Sequence, residues 1–174
     1  MTTATLSLSS EGQLDPLDLR TTFGCFPSGV TALCSNGPNG PVGMAASAFT
    51  SVSLNPALVS VCIQKTSSTW PLLRQGPAIG VSILAAGQES ICRSLAATFS
   101  ERFADVNWTS SDAGAVYVNG SVAWLECVLH DELDAGDHII ALLRITGLRN
   151  AAETAPLVFH RSGFRTLSQI SDSQ

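Results

Sequence analysis

Apolar positions along this chain fall into short runs that alternate or stay continuous over four to eight residues, broken by clusters of Gly, Pro, Asn and Ser. Helical spacing occurs in only two places. Asp15-Pro16 opens the first, because aspartate can cap and the missing proline N–H costs nothing in a first turn. Leu19, Phe23 and Phe26 follow at helical spacing, which predicts a short helix docked on the core and stopped by Pro27-Ser28-Gly29. The second lies over residues 88–104. Ile91, Leu95 and Phe99 recur every four residues beside Cys92, Ala96 and Phe103, while Glu89, Arg93, Glu101 and Arg102 fall mostly elsewhere on the wheel.

The other apolar runs have strand length. Residues 30–35 lead through the Asn/Gly/Pro loop at 36–41 into 43–56 (GMAASAFTSVSLNP), which reads as strand, turn and strand start. Residues 57–63 (ALVSVCI) are nearly continuous and predict a central strand buried on both faces. A polar turn at 64–70 (QKTSSTW), one helical turn over 71–75 ending at Gly76, and a strand over 79–84 come next. After a polar loop at 107–115, strands are expected over 116–118, 121–133, 138–147, 157–160 and 164–167, with Asn119-Gly120 as a tight turn. Many strands and only two clear helices favour a mainly β fold and a closed antiparallel barrel. No G-x-G-x-x-G follows a strand and opens a helix, so a Rossmann site is not supported.

Composition narrows the picture. A chain of 174 residues suits one domain, and its charged fraction of 13% with mean hydropathy of +0.25 leaves more apolar surface to cover than usual, which favours a homo-oligomer. Net charge of −5 and a pI near 5.0 argue against nucleic acid as partner. Cys25, Cys34, Cys62, Cys92 and Cys127 form no C-x-x-C pair and read as small buried hydrophobes in a reducing compartment. The opening MTTATLSLSSEGQ lacks a positive n-region and a continuous apolar h-region, so residues 1–14 are expected to be a disordered lead-in. No apolar run approaches the ~20 residues that span a bilayer. A cytoplasmic protein is expected, away from membranes.

Two stretches carry candidate chemistry. Small side chains over 43–56 let a flat ligand approach the backbone, and Ser47, Thr50 and Ser51 offer hydroxyls to its polar edge. An ordinary Ser/Thr-rich strand and turn has the same composition. Lys65, Ser67, Ser68 and Thr69 place a cation and three hydroxyls in one turn, as a phosphate needs, although a solvated surface turn looks alike. His130, His138 and His160 are isolated, so no metal site is expected.

Three segments together resemble the flavin reductase-like family, the short-chain NAD(P)H:flavin oxidoreductases that serve as reductase components of two-component flavin-dependent monooxygenases. They are FPSGVTAL at 26–33 running into 43–63, VSILAAGQ at 81–88 leading to a helix that ends SERFA, and GDHIIALLRITGL at 136–148 followed by PLVFHRSGFRTL at 156–167. The similarity spans about 15–168 as a single domain, leaving 169–174 as a tail. It implies an FMN-binding split β-barrel, FMN or FAD as flavin, NADH or NADPH as hydride donor, a monooxygenase partner, and a homodimer whose interface helps build the flavin site. By the same resemblance Gly43, Met44, Ala45, Ala46, Ser47, Ala48, Thr50, Ser51 and Val52 lie along the flavin, and Lys65, Ser67, Ser68 and Thr69 receive its phosphate. Ser82, Ile83, Leu84, Arg102, Phe103 and Phe164 complete the cofactor site, and His138 positions the nicotinamide or supplies a proton. Arg102, Arg161 and Arg165 are the arginines available to cofactor phosphates. Ala46 and Ala48 stand where many relatives carry a hydroxyl, and Phe164 where they often carry tyrosine. A split barrel that stores or senses flavin is the other reading the fold allows.

Overall fold

The computed structural model describes residues 8–10, 12, 14–97, 102–151 and 153–167. The expected tail at 169–174, most of the lead-in (1–7, 11 and 13) and residues 98–101 of the second helix lie outside them. The elements run α1 (Pro16–Phe23), β1 (Ser28–Gly29), β2 (Thr31–Gly37), β3 (Gly40–Ala46), β4 (Phe49–Leu54), β5 (Ala57–Gln64), α2 (Trp70–Leu73) and β6 (Ile79–Ile83). Then follow α3 (Glu89–Ala96), β7 (Trp108–Ser110), β8 (Val116–Val118), β9 (Ala123–Ala135), β10 (His138–Asn150), β11 (Val158–His160) and β12 (Gly163–Arg165).

Seven strands form one antiparallel sheet in the order β3-β2-β6-β9-β10-β5-β4. Its edge strands, β3 and β4, are consecutive in sequence but not hydrogen-bonded to each other. β3 pairs with β2 from Thr31↔Ala46 to Gly37↔Gly40, and β4 pairs with β5, so residues 47–48 cross the gap between the two edges. The barrel is therefore split, as the family resemblance implied, where the strand count alone favoured a closed one. The Cys62 N–H donates to Ala48 O at 3.1 Å, and the Thr31 hydroxyl donates to Ala46 O at 2.9 Å, which fixes the chain on both sides of the gap.

Strand alternation divides the core in two. Leu33, Val59, Val61, Ile63, Val81 and Leu143 point to one side and pack with Trp70 and Leu73 of α2. Ala32, Cys34, Leu84, Leu95, Val116 and Val118 pack on the other, under α3 and the β7–β8 ribbon. The strands buried on both faces are thus β2 and β6, not β5. In β5 only Val59, Val61 and Ile63 are buried, and Cys62 and Gln64 on the opposite face are exposed. That face belongs to a cavity.

Several elements depart from expectation for visible reasons. Asp15 caps α1 by accepting from Leu17 N at 2.7 Å, but the helix buries no residue: Phe23 is 69% exposed, and Phe26, just past its end, 79%. α3 stops at Ala96, eight residues short of the expected end. Ala97 turns extended, and Arg102 Nε donates to its carbonyl at 2.9 Å, satisfying a group that a longer helix would have used. Within the expected loop 107–115, Trp108, Thr109 and Ser110 pair with Val118, Tyr117 and Val116. Cys34 and Cys127 are buried as expected, whereas Cys25 and Cys62 are exposed.

Candidate functional site

A cavity of about 500 Å³ opens at the split between the sheet edges. Its wall is the end of β3 and the crossing chain: Met44, Ala45, Ala46, Ser47 and Ala48. These side chains are short because the sequence places alanines and serine where the strand leaves the sheet, so the backbone itself is close to the cavity. The outward face of β5 adds Cys62 and Gln64, the turn after it adds Thr66, Ser67, Ser68 and Thr69, and α3 closes the far side with Leu95 and Ala96. Ile63, Arg102 and His138 complete the lining.

The polar end is held rigidly. Thr69 is 3% exposed, and its hydroxyl accepts from Arg102 Nη1, which also donates to Gly43 O at 3.0 Å. One guanidinium therefore ties β3, the hydroxyl-rich turn and the end of α3 together. Ser67 Oγ accepts from Trp70 N at 3.2 Å, and Ser67 N donates to Gln64 O at 2.9 Å, so the turn is closed on itself. The four hydroxyl residues of the turn and a fixed cation at one end of the cavity suit an anionic oxygen group.

His138 begins β10 opposite Gln64 in the strand register. Its Nδ1 lies 2.7 Å from Asp137 Oδ1, which leaves Nε2 as the ring nitrogen available to a ligand. The hydrogen bond from His138, and then its charge, hold the Asp137 carboxyl below the usual carboxylate range. Burial pushes the Cys34 and Cys127 thiols up to about 12, so both stay protonated and inert at neutral pH.

The structure thus gathers Met44, Ala45, Ala46, Ser47, Ala48, Ser67, Ser68, Thr69, Arg102 and His138 around one cavity. Other residues singled out from the sequence sit elsewhere. Gly43 lies behind the wall, where a Cβ would meet Cys34 Sγ at 2.6 Å and Phe103 Cζ at 2.8 Å, so Phe103 packs against it. Thr50, Ser51 and Val52 are exposed on the edge strand β4 outside the lining. Lys65 projects from the other side of its turn, 2.6 Å from Asp134 Oδ1. Ser82 is fully buried and accepts from Val118 N at 3.0 Å, and Leu84 is core. Ile83, in the same strand, is outside the lining. Phe164 packs edge-on against Phe159, with Arg93 over its ring, while Arg161 and Arg165 lie outside the lining of this cavity. Cys62, Gln64, Thr66, Leu95 and Ala96 were not anticipated. Period-2 alternation from Val59 would have shown that Cys62 and Gln64 share an outward face. Among the described residues no cluster of His, Cys, Asp or Glu could hold a metal ion.

Residues 23–168 match the family described as flavin reductase like domain. A flavin reductase from Pseudomonas putida is 35% identical over 158 residues, covering 90% of this chain and 93% of its own length. The reductase subunit of a flavin-dependent monooxygenase from Rhodococcus jostii is 35% identical over 151 residues, 87% of this chain and 77% of its own. Among solved structures, an NADH:FAD oxidoreductase of Streptomyces globisporus C-1027, in complex with NAD and FAD fragments, superposes with a TM-score of 0.85. It is 35% identical and covers 97% of this chain and 100% of its own.

Proposed function

The chain belongs to the flavin reductase-like family, and from that footing we propose that it moves hydride from NADH to FMN or FAD and supplies the reduced flavin to a partner monooxygenase. The observation that carries this reading is the cavity at the barrel split, which brings a small-residue wall, a hydroxyl-rich turn, Arg102 and His138 together from separate parts of the chain. Its volume lies within the range of small-molecule sites. The named relatives support the flavin, the NADH and the monooxygenase partner.

A flavin held there supplies the redox chemistry, accepting hydride from the nicotinamide, so the protein needs no nucleophile of its own. The chain's residues bind and orient. Ala45, Ala46 and Ala48 give a flat ring a wall without side-chain obstruction, and the chain at Ser47 and Ala48, outside the strand pairing, would bring backbone N–H groups to its polar edge. Ser67, Ser68, Thr69 and Arg102 hold the phosphate. His138, its Nδ1 engaged by Asp137, presents Nε2 to the nicotinamide side or passes a proton.

A homodimer accords with the exposed Phe23, Phe26, Val52 and Leu54, which a second copy would cover. Free thiols and a soluble nicotinamide donor support a cytoplasmic setting. The reading is tested by mixing NADH anaerobically with the protein and stoichiometric FMN. Saturable loss of the oxidised flavin's visible absorbance is expected, and absorbance that persists while FMN is bound would refute it.

A further inference from the structure

Gln64 ends β5 and stands directly opposite His138, the first residue of β10, in the strand register. Directly paired residues of antiparallel strands put their Cβ atoms on one face, roughly 5 Å apart. Both residues line the cavity at the barrel split. The backbone is anchored around this pair, with Gln64 O accepting from Ser67 N at 2.9 Å and Lys65 N donating to Asp137 O at 3.0 Å. The side chain is not anchored: Gln64 is exposed, and its carboxamide makes no hydrogen bond among the described residues. Gln88 is the opposite case, its carboxamide oxygen accepting from Ala85 N at 2.9 Å and its nitrogen donating to Asn119 O at 2.8 Å. Resting on the flavin reductase reading above, we infer that Gln64 is a specificity residue for the hydride donor, its side-chain amide pairing with the carboxamide of the nicotinamide ring beside His138.

The position of Gln64 selects the group it reads. A primary carboxamide holds a donor and an acceptor side by side, and a second amide satisfies both at once. The reaction brings two such groups, the nicotinamide carboxamide and the imide edge of the flavin. Gln64 adjoins the turn whose hydroxyls and Arg102 form the anion end of the cavity. A flavin phosphate held at that end has the whole ribityl chain between it and the ring, so the imide edge of the same flavin lies away from Gln64. A ribityl hydroxyl would engage one end of the carboxamide and leave the other unpaired. His138 engages Nδ1 with Asp137 at 2.7 Å, so its Nε2 and the Gln64 carboxamide are the two side-chain polar groups that this strand pair presents to a second ligand. With one group at the reacting ring and the other on its carboxamide, the pair fixes both the place and the orientation of the nicotinamide.

Acetylpyridine adenine dinucleotide carries a methyl ketone in place of the carboxamide. It keeps the acceptor and lacks the N–H donors, so it probes this contact directly. Inhibition constants of oxidised NAD and of the analogue against NADH are measured in FMN-dependent turnover for wild type, Gln64→Met and Gln64→Glu. Gln64 is exposed, so neither substitution disturbs the core. Wild type should bind NAD roughly three- to tenfold more tightly than the analogue, the effect of one hydrogen bond. Gln64→Met, similar in length with no amide, should bring that ratio to about one. Gln64→Glu, which accepts but does not donate, should prefer NAD at least as strongly as wild type does; its added charge acts on both dinucleotides alike and leaves the ratio intact. FMN affinity, titrated by fluorescence, should stay within about threefold in both variants. An unchanged ratio in Gln64→Met, or no preference in wild type, overturns the assignment. Loss of FMN affinity with the ratio kept places Gln64 on the ribityl chain and overturns it too. A wild type that binds FMN and consumes no NADH sinks the reductase reading itself, and this inference with it.

Discussion

Replacing Arg102 by alanine tests the anion end of the cavity most sharply. Its guanidinium is immobilised before any ligand binds, through Thr69 Oγ1, Gly43 O at 3.0 Å and Ala97 O at 2.9 Å. A charge-assisted hydrogen bond to phosphate contributes roughly 1.5–3 kcal/mol net. Because the side chain is already ordered, little of that is lost to entropy on binding. Arg102→Ala should therefore weaken FMN by about 2–3 kcal/mol, roughly 30- to 150-fold in Kd. Riboflavin has the same ring and no phosphate, so its affinity should fall less than about threefold. Arg102→Lys keeps the charge without the planar fork and should fall between wild type and alanine. Fluorescence titration of both flavins gives the two ratios. Parallel loss of FMN and riboflavin would refute the reasoning, because it would mean that Arg102 supports the cavity wall and not the phosphate.

Three further outcomes follow from the packing and the ionisable groups. Gly80→Ala should lower Tm more than Gly43→Ala, because the added Cβ would lie 2.1 Å from the Val116 carbonyl oxygen, which is backbone, whereas at Gly43 the nearest obstruction is the Cys34 side chain; equal melting would contradict this. Under native conditions an alkylating reagent read by mass spectrometry should modify Cys25 and Cys62 and spare Cys34 and Cys127, and saturating FMN should protect Cys62 but not Cys25. Unprotected Cys62 would place the flavin elsewhere. Asp137 should titrate below the ordinary carboxylate value and return to it in His138→Ala, as followed by carboxyl NMR. With the folded-state value depressed, its contribution to stability is present above the ordinary carboxylate pKa and is lost as pH falls through the lower folded value; an unshifted midpoint in wild type would break the Asp137–His138 pairing.

Local chemistry made much of this molecule legible. Asp15-Pro16 sets the start of α1, the Asn/Gly/Pro loop gives the β2–β3 hairpin, and the long apolar runs give β9 and β10. The misreadings come from information that only tertiary structure holds. A continuous apolar run such as 57–63 does not say whether one face or two are covered, and β5 has its second face on a cavity. Likewise the periodicity over 88–104 cannot register that Arg102 turns back to Ala97 O and ends the helix early. In the site, the small-residue wall and the hydroxyl turn were readable from residue type, since small side chains and hydroxyls suit a ligand wherever they cluster. Which side of the turn each residue takes was not. Lys65 adjoins four hydroxyl residues that line the cavity and yet turns to Asp134 on the other side of the turn, and Ser82 is spent on a backbone N–H inside the core.

The central claim, that this chain reduces flavin with a nicotinamide donor, is tested most directly by following NADH and NADPH absorbance in air with purified protein alone and with FMN, FAD or riboflavin added. The account predicts oxidation that depends on added flavin, saturates with it and is faster with NADH. No consumption of either nicotinamide under conditions where flavin demonstrably binds would contradict it.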